Sequence, residues 1–264
     1  MALIFENLII DRVLDGVFRN ANAQVLGGLN QVQNLSINTT SESKDKTDAN
    51  GVLIKRFFTS KQVEVSAENA IFSLSLMGLQ TGSGKTTASS SSQITLPMIK
   101  KYAKSDSPIV LSQTPIDGTM SVTGLTPDGL PDATLVYAED TTAGAGKYTY
   151  SSETNTLTLP TDATDFVQVV YKYKTSDGVS VLQTADKFPK ECELILSVLV
   201  CDACDKETLR HAYISFPAFQ MSPDFDLSVA TDAAHPFSGI AVVDYCSADK
   251  KLFAISISDE DTEE

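Results

Sequence analysis

Short apolar runs separated by turn residues fill the middle of the chain, between residues 107 and 185. The runs are IVLSQ, MSVTGL, ATLVYAE, KYTYSS, TLTLP and FVQVVYKYKT. Turn dipeptides such as Asp117-Gly118 and Asp177-Gly178 lie between them. In the last run apolar and polar residues alternate, as they do in a half-buried strand. This rhythm predicts a small antiparallel β-sandwich of immunoglobulin-like size.

Longer elements precede and follow this region, so we expect residues 107–185 to form a domain inserted into a larger one. The larger domain would consist of residues 1–106 and 186–264. Near its N-terminus, the apolar residues from Ile10 to Phe18 recur at spacings of three and four, which is typical of one face of a helix. Gly16 weakens this interpretation, and the alternative is a first strand with a hairpin near Asn20–Asn22.

A polar segment interrupts the strands of the N-terminal portion. Val32, Leu35 and Ile37 begin a strand that runs into the polar residues Thr39–Asn50, after which VLIKRFF resumes as a strand. Asn50-Gly51 is a turn dipeptide, but the polar segment is long for a simple hairpin loop. We interpret it as a loop that is either disordered or ordered by a partner.

Further strands are predicted at Gln62–Val65 and Ala70–Met77. A Ser/Thr/Gly-rich loop follows at Thr81–Ser92, and QITLPMIKKY predicts a short strand with Pro97 at or beyond its end. The strands predicted in the C-terminal portion are ECELILSVLV, HAYISFPAF, Asp226–Val229, Ser238–Asp244 and Lys251–Ser256.

Two features delimit the C-terminal strands. Pro217 marks an edge strand or the end of a strand, because proline cannot donate a ladder hydrogen bond. Ser258–Glu264 is dense in carboxylates and predicts a solvated tail.

Composition and charge narrow the classes of function. Thr, Ser, Val and Asp are abundant, whereas the chain has only 2 His and no Trp, which suits strands and turns better than acid–base chemistry. The formal net charge is −14, and the acidic residues concentrate in the last third, where they would repel nucleic acid. No apolar run is long enough for a membrane helix, and the N-terminus lacks the basic region of a secretory signal. We expect a soluble protein made in a cytoplasm.

The TGSGKTT stretch at Thr81–Thr87 has some likeness to a nucleotide-binding phosphate loop. Such a loop requires G-x-x-x-x-G-K-[ST] between a strand and a helix. Lys85 is preceded by Gly84, but the first glycine should stand at position 79, which is Leu79, and Gly78 is one residue too early. The following TTASSSSQITLP does not favour the helix whose N-terminus would hold phosphate. We predict a flexible loop and no nucleotide site.

The four cysteines are Cys192, Cys201, Cys204 and Cys246, all in the last third of the chain. Cys201-x-x-Cys204, with His211 nearby, has the spacing of half a zinc site. A closed site usually needs a second pair at such spacing, and the sequence does not provide one. Free thiols are the default in a cytoplasmic product, so whether Cys201 and Cys204 bind zinc stays open.

The sequence contains no pattern typical of a catalytic centre. His211 opens a predicted strand, His235 lies in a predicted loop, and no serine stands in a GxSxG elbow. The acidic pair Asp224 and Asp226 lacks the glycine turn and distal glutamate of a calcium-binding loop. We therefore assign no catalytic, cofactor-binding or metal-binding residues.

Two stretches resemble phage tail tube proteins. The first is NLSINTTSESKDKTDANGVLIKRFFTSKQVEVSAENAIFSLSL (34–76), in which a strand leads into a long polar loop, a return strand and a further "sKxxExS" strand. The second is HPFSGIAVVDYCSADKKLFAISI (235–257), which is similar to the closing hairpin of that family, where an apolar strand ends in Asp and a last strand follows. An immunoglobulin-like insertion between barrel strands also occurs in this family.

The resemblance implies a mainly β fold, namely a tail-tube-like antiparallel β-sandwich or barrel with one flanking helix and an inserted immunoglobulin-like β-sandwich domain. It implies a non-enzymatic subunit of stacked hexameric rings that form the tail tube through which DNA is ejected. Thr39–Gly51 would be the loop that stacks one ring on the next. An alternative is a capsid decoration or head–tail joining protein of the virion.

The resemblance also implies the partners and the location. The partners would be other copies of the chain, other tail or head–tail proteins, and phage DNA that passes without specific binding. The location would be the virion tail, after assembly in the host cytoplasm, with no cofactor and no membrane partner.

Overall fold

The computed structural model describes residues 7–203, 206–228, 230, 234–243 and 249–261. They divide into two compact units, one made of Met1–Lys85 with Val181–Glu264 and the other of Thr86–Ser180. We call these the first and the second unit. The domain boundaries predicted above, at residues 106/107 and 185/186, stay a prediction.

The elements, in chain order, are β1 (Leu8–Arg19), β2 (Val25–Asn30), β3 (Val32–Thr47), β4 (Leu53–Asn69), α1 (Leu74–Gln80), β5 (Lys85–Thr87), β6 (Ile94–Ala103), β7 (Ile109–Val110), β8 (Ser121–Leu125), β9 (Pro131–Glu139), β10 (Lys147–Ser151), β11 (Thr156–Thr158), β12 (Phe166–Thr175), β13 (Val179–Val181), β14 (Cys192–Asp202), β15 (Arg210–Met221), β16 (His235–Ala241) and β17 (Ala254–Asp261). The predicted mainly β class with one flanking helix is confirmed.

One antiparallel sheet holds the strands of the first unit. Its order is β2-β1-β14-β15-β16-β4-β3, and β17 pairs with β15. Alternate residues of β14, including Leu194 and Leu196, are buried in one core. Phe18 of β1 and Phe237 of β16 are three strand spacings apart, or about 14 Å in a flat sheet, yet their ring centroids are 5.9 Å apart. The sheet is therefore strongly curved and wraps around its core as a half-barrel.

The N-terminal segment is the strand β1, so the helical interpretation is wrong and the alternative of a strand and hairpin is confirmed. The side chain of Asn20 accepts the backbone N–H groups of Asn22 and Gln24 in the turn to β2. The pairing of β1 with β14 shifts register between Ile10 and Arg12 and again between Val13 and Asp15. Each such bulge inserts one residue, so apolar positions fall three apart and imitate helical spacing.

Helix α1 lies where the sequence predicted a strand over Ala70–Met77, and that prediction is wrong. Ser73 caps the helix, because its hydroxyl accepts the N–H of Leu76 at 3.3 Å. Leu76 is buried in the core of the first unit, and Leu79 packs against the same core. This tertiary packing overrides the strand propensity of the segment.

Both prolines predicted at strand ends lie inside strands, and the surrounding pairing explains why they are tolerated. Pro97 is in the middle of β6, which is an edge strand of its sheet. Pro217 is in the inner strand β15, where β17 pairs as far as Ser215 and β16 begins at Phe219. The pairing of β15 with β14 also shifts register at this point. Pro217 therefore occupies a gap in the ladder.

The C-terminal elements differ from the predicted ones in three ways. Residues 226–228 are not a strand. Strands β16 and β17 do not form the closing hairpin that the resemblance implies, because they pair with different parts of β15. Strand β17 continues to Asp261, so part of the predicted tail Ser258–Glu264 belongs to the sheet.

The second unit is built on a sheet of order β6-β12-β8-β9-β10-β11-β7. Each apolar run predicted between residues 107 and 185 contains a strand, although IVLSQ contributes only Ile109–Val110. The core centres on Val167, Val169 and Tyr171 of β12, all with 0% exposure. The neighbours in this sheet are antiparallel except β9 and β10, which pair in parallel. Whether the unit has an immunoglobulin-like fold stays a prediction.

Candidate assembly surfaces

The longest hairpin of the chain projects from the first unit. Strands β3 and β4 stay paired from Val32 opposite Asn69 to Thr47 opposite Leu53. Every residue from 38 to 62 is exposed, and we call this stretch the arm. The polar segment Thr39–Asn50 is thus strand up to Thr47, and its interpretation as a loop is wrong.

The tip of the arm is an ordered turn. The carboxylate of Asp48 accepts the N–H groups of Asn50 and Val52, at 2.9 and 2.8 Å. Gly51 has φ of 80°, a left-handed conformation that glycine adopts without strain. These contacts hold the hairpin closed, so the polar composition of β3 reflects solvent exposure and not disorder.

Five large apolar side chains on the arm are exposed to solvent. Their exposed fractions are high, from 47% for Phe57 to 72% for Phe58. The set is Val52, Leu53, Ile54, Phe57 and Phe58. A two-stranded ribbon has no core of its own and is marginal in water. Exposed apolar patches of this kind mark interaction sites.

The charges of the arm are only partly paired within it. Arg56 makes a two-pronged contact with Asp45 across the strands, at 2.8 and 2.9 Å. This hydrogen bond lowers the pKa of Asp45 and raises that of Arg56. Lys46 stands directly opposite Lys55, and like charges in that position repel. In the part of the chain that the structure describes, neither lysine forms an ion pair, although Lys55 lies over the Phe57 ring at 4.9 Å.

The sequence predicts where the arm lies but not that its apolar side chains stay exposed. The signal was present: the apolar run VLIKRFF follows a polar segment that offers it no apolar cross-strand partners. Only the register of β3 against β4 reveals that both faces of this run stay exposed.

The TGSGKTT stretch does not have the geometry of a phosphate loop. A phosphate loop runs from a strand into a helix, whereas here helix α1 comes first and Lys85 then enters the short strand β5. Gly82 has φ of 67° and lies so close to Phe188 that a Cβ would meet its carbonyl oxygen. The stretch is a tight turn after the helix, and the loop that was predicted over Thr81–Ser92 contains β5.

The two cysteines that the structure describes lie far from each other. Cys192 and Cys201 are both buried and lie at opposite ends of β14, about 30 Å apart along a strand. Burial and the nearby Glu191 raise the pKa of Cys192 to about 11. Cys204 and Cys246 lie outside the described residues. Among those that are described, no three His, Cys, Asp or Glu side chains cluster as a metal site.

His235 has a structural position at both ends of helix α1. Its Nδ1 accepts the N–H of Ser73 at 3.3 Å, and its Nε2 donates to Gln80 Oε1 at 2.8 Å. Phe72 stacks on its ring with centroids 4.9 Å apart. Burial lowers the pKa of His235, so the neutral ring is the form that fits these contacts.

Three other polar residues that the sequence singles out, His211, Asp224 and Asp226, lie elsewhere in the first unit. His211 in β15 is 3.3 Å from Ser197 Oγ and stacks on Tyr213. Asp224 and Asp226 are exposed on the segment between β15 and β16.

No helix within the described residues could cross a bilayer. The curved antiparallel sheet carries an uncovered apolar hairpin, which is the kind of surface that marks a site of interaction with another molecule. The comparison with family models agrees: the model of the YomU/Tube protein family matches residues 9–250. The chain belongs to this family, which is of the phage tail tube type, and is a virion structural protein of the tail. Comparison with curated proteins gave no match.

Proposed function

We propose that the chain is the repeating subunit of a tail tube, which assembles as stacked six-membered rings and conducts DNA during ejection. The observation that supports this proposal most strongly is the arm. It extends a hairpin with five large exposed apolar side chains away from the core of the first unit. Burial of this apolar surface against another molecule is favourable.

In this proposal the arm makes the contact between successive rings. An arm that inserts into a different surface of the next subunit forms a heterologous interface, and such interfaces build open filaments. The stacking element extends beyond Thr39–Gly51, because the exposed apolar residues follow Gly51 and four of the five lie on β4.

The charge of the chain supports the passage of DNA. The formal net charge is −14, and a lumen with the sign of phosphate would let DNA slide without sticking. In the proposal DNA is a passing cargo, and the subunit has no catalytic step and no cofactor.

Electron microscopy of the purified protein tests the proposal. We expect stacked rings with a repeat of about 40 Å, the height of a small domain. A chain that stays monomeric at high concentration would overturn the proposal. In the virion, copies on the head surface would favour the alternative of a decoration protein.

A variant without the arm tests its role in stacking. Thr40 and Gln62 are directly paired, so residues 41–61 can be replaced by Asn-Gly, which closes a two-residue hairpin. We expect this variant to fold but not to form tubes. Lys85→Ala, an exposed change outside the arm, should leave the tubes intact. Tubes of normal length from the armless variant would contradict the stacking role.

A further inference from the structure

A groove lies on the outer face of β4 and β16, under the segment that follows β15. Its volume is about 280 Å³, and Phe225 and Pro236 form part of its apolar lining. Three carboxylates line it as well: Glu68, Asp224 and Asp226. Among the described residues, none that lines the groove is basic. The groove is thus an apolar recess with an acidic rim.

The segment over the groove is anchored to the sheet. The N–H of Ser222 donates to the carbonyl of Ser238 on β16 at 2.8 Å, and the N–H of Asp224 donates to Ser222 Oγ at 3.2 Å. On the other side, Asn34 donates to Glu68 at 2.8 Å. These contacts fix the Glu68 carboxylate and the backbone that carries Asp224, and no positive charge takes part in them.

The arm has the complementary chemistry. Lys46 and Lys55 face each other without an ion pair among the described residues, and a carboxylate placed beside them would relieve their repulsion. Phe57 and Phe58 stand next to them on β4 and are 47% and 72% exposed. The face of the arm that carries Lys46, Lys55 and Phe57 is therefore complementary to an acidic and apolar surface.

An arm cannot reach the groove of its own chain, because the same strand carries both. Glu68 lies near one end of β4 and Leu53 at the other end. Phe58 and Ala67 are nine residues apart, which is about 30 Å along an extended strand. An arm that fills the groove must therefore come from a second copy.

We propose that the groove is the receptor for the arm of a neighbouring copy. Lys46 and Lys55 of one copy lie against the Asp224 and Asp226 carboxylates of the next, and a phenylalanine of the arm packs on Phe225. This inference rests on the proposed tube function and names the surface that receives its stacking element. Because donor and receptor lie at opposite ends of one strand, each copy added leaves a new arm and a new groove, and the assembly grows head to tail.

Two charge-reversed variants test the pairing. One carries Asp224→Lys with Asp226→Lys, and the other carries Lys46→Glu with Lys55→Glu. Like charges would then meet at every contact, so we expect each variant alone to need at least about a hundredfold higher concentration to assemble. Sedimentation measures the assembled fraction, and circular dichroism checks that each variant folds.

An equimolar mixture of the two variants is the decisive sample. The reversed groove of the first accepts the reversed arm of the second, and the two unchanged surfaces also match. We expect the mixture to assemble at close to the concentration of the parent protein. A matched control for the groove variant carries Glu153→Lys with Asp177→Lys, which changes the net charge by the same amount on exposed sites of the second unit and should assemble alone.

The outcomes separate this inference from the proposed function. If the groove variant assembles like the parent, or the mixture stays soluble, the groove is not the receptor, although parent tubes that require the arm would still support the tube function. If the parent forms no rings or tubes, the proposed function fails and the inference fails with it.

Discussion

The arm of the first unit and strand β6 of the second unit are both exposed β-edges that carry lysines and apolar residues, but they differ in what satisfies them. In β6, Met98 and Tyr102 pack against the core of the second unit. Lys100 bonds to Ser112 Oγ at 3.0 Å and Lys101 to the carbonyl of Gly129 at 2.7 Å. Pro97 removes a backbone donor from this edge.

Among the described residues, the arm has no comparable core packing, no lysine hydrogen bond and no proline on its edge. Its apolar side chains have no core beneath them, and its opposed lysines Lys46 and Lys55 have no carboxylate partner there. The comparison teaches that exposure alone does not mark an assembly surface. What distinguishes the arm, the proposed assembly surface, is exposed apolar area and charge that remain unsatisfied among the described residues.

The largest expected effect follows from Phe57→Ser combined with Phe58→Ser. Removing two aromatic anchors should weaken association by about 4 kcal/mol in total. The free energy of unfolding of the monomer should change by less than about 0.5 kcal/mol, because both rings are exposed. Sedimentation and urea denaturation measure the two quantities.

A matched control for this variant is Phe166→Ser, which removes a ring that is 56% exposed on β12 of the second unit. It should leave assembly unchanged. If the control weakens assembly as much as the change in the arm, the contrast between the two regions is wrong.

Tyr171→Ala should destabilise the second unit by about 3 kcal/mol. Tyr171 has 0% exposure and pairs with Met98 of β6, so its loss leaves a cavity beneath that edge. Thermal unfolding followed by circular dichroism should show a lower transition. Tyr213→Ala, at a residue that is 45% exposed, is the control, and an equal loss of stability there would contradict the assignment of the core.

Acid should weaken the first unit through His235. Burial lowers the pKa of His235 in the folded protein below its ordinary value of 6.5. Its contribution is therefore complete above that pH and is lost as the pH falls towards the lowered pKa, by at most about 1.4 kcal/mol per pH unit. Both histidines belong to the first unit, so the second unit should lack this dependence.

Urea denaturation between pH 7 and pH 5 measures the effect. His235→Gln removes the titrating group and should flatten the curve of unfolding free energy against pH. His211→Gln is the matched control and should retain the slope. A slope that survives in His235→Gln would show that other groups cause it.

The smallest effect is expected from Pro97→Val. The new backbone N–H restores a donor to the outer edge of β6, while the free energy of unfolding should change by about 0.5 kcal/mol or less. We expect weak self-association through this edge, detectable by light scattering of a variant that also lacks the arm. Adding Ile99→Lys, at a side chain that is 62% exposed, should suppress it. Unchanged scattering for Pro97→Val would indicate that β6 is protected by something other than proline.

The sequence by itself determined the elements whose pattern is local. Alternation in FVQVVYKYKT and the apolar run ECELILSVLV gave β12 and β14, because a strand buries every second residue wherever it pairs. The misfit of the TGSGKTT stretch to a phosphate loop was also evident from spacing alone. The resemblance at residues 34–76 indicated the family, which the family model then showed.

The tertiary structure decided what depends on partners distant in the chain. Bulges against β14 made β1 look helical, and a cap at Ser73 with packing of Leu76 made a helix where a strand was predicted. The arm shows the same limit, because only the register of β3 on β4 leaves Phe57 and Phe58 uncovered. Burial is a property of the whole fold, and a one-dimensional pattern records it only where the partner surface is regular.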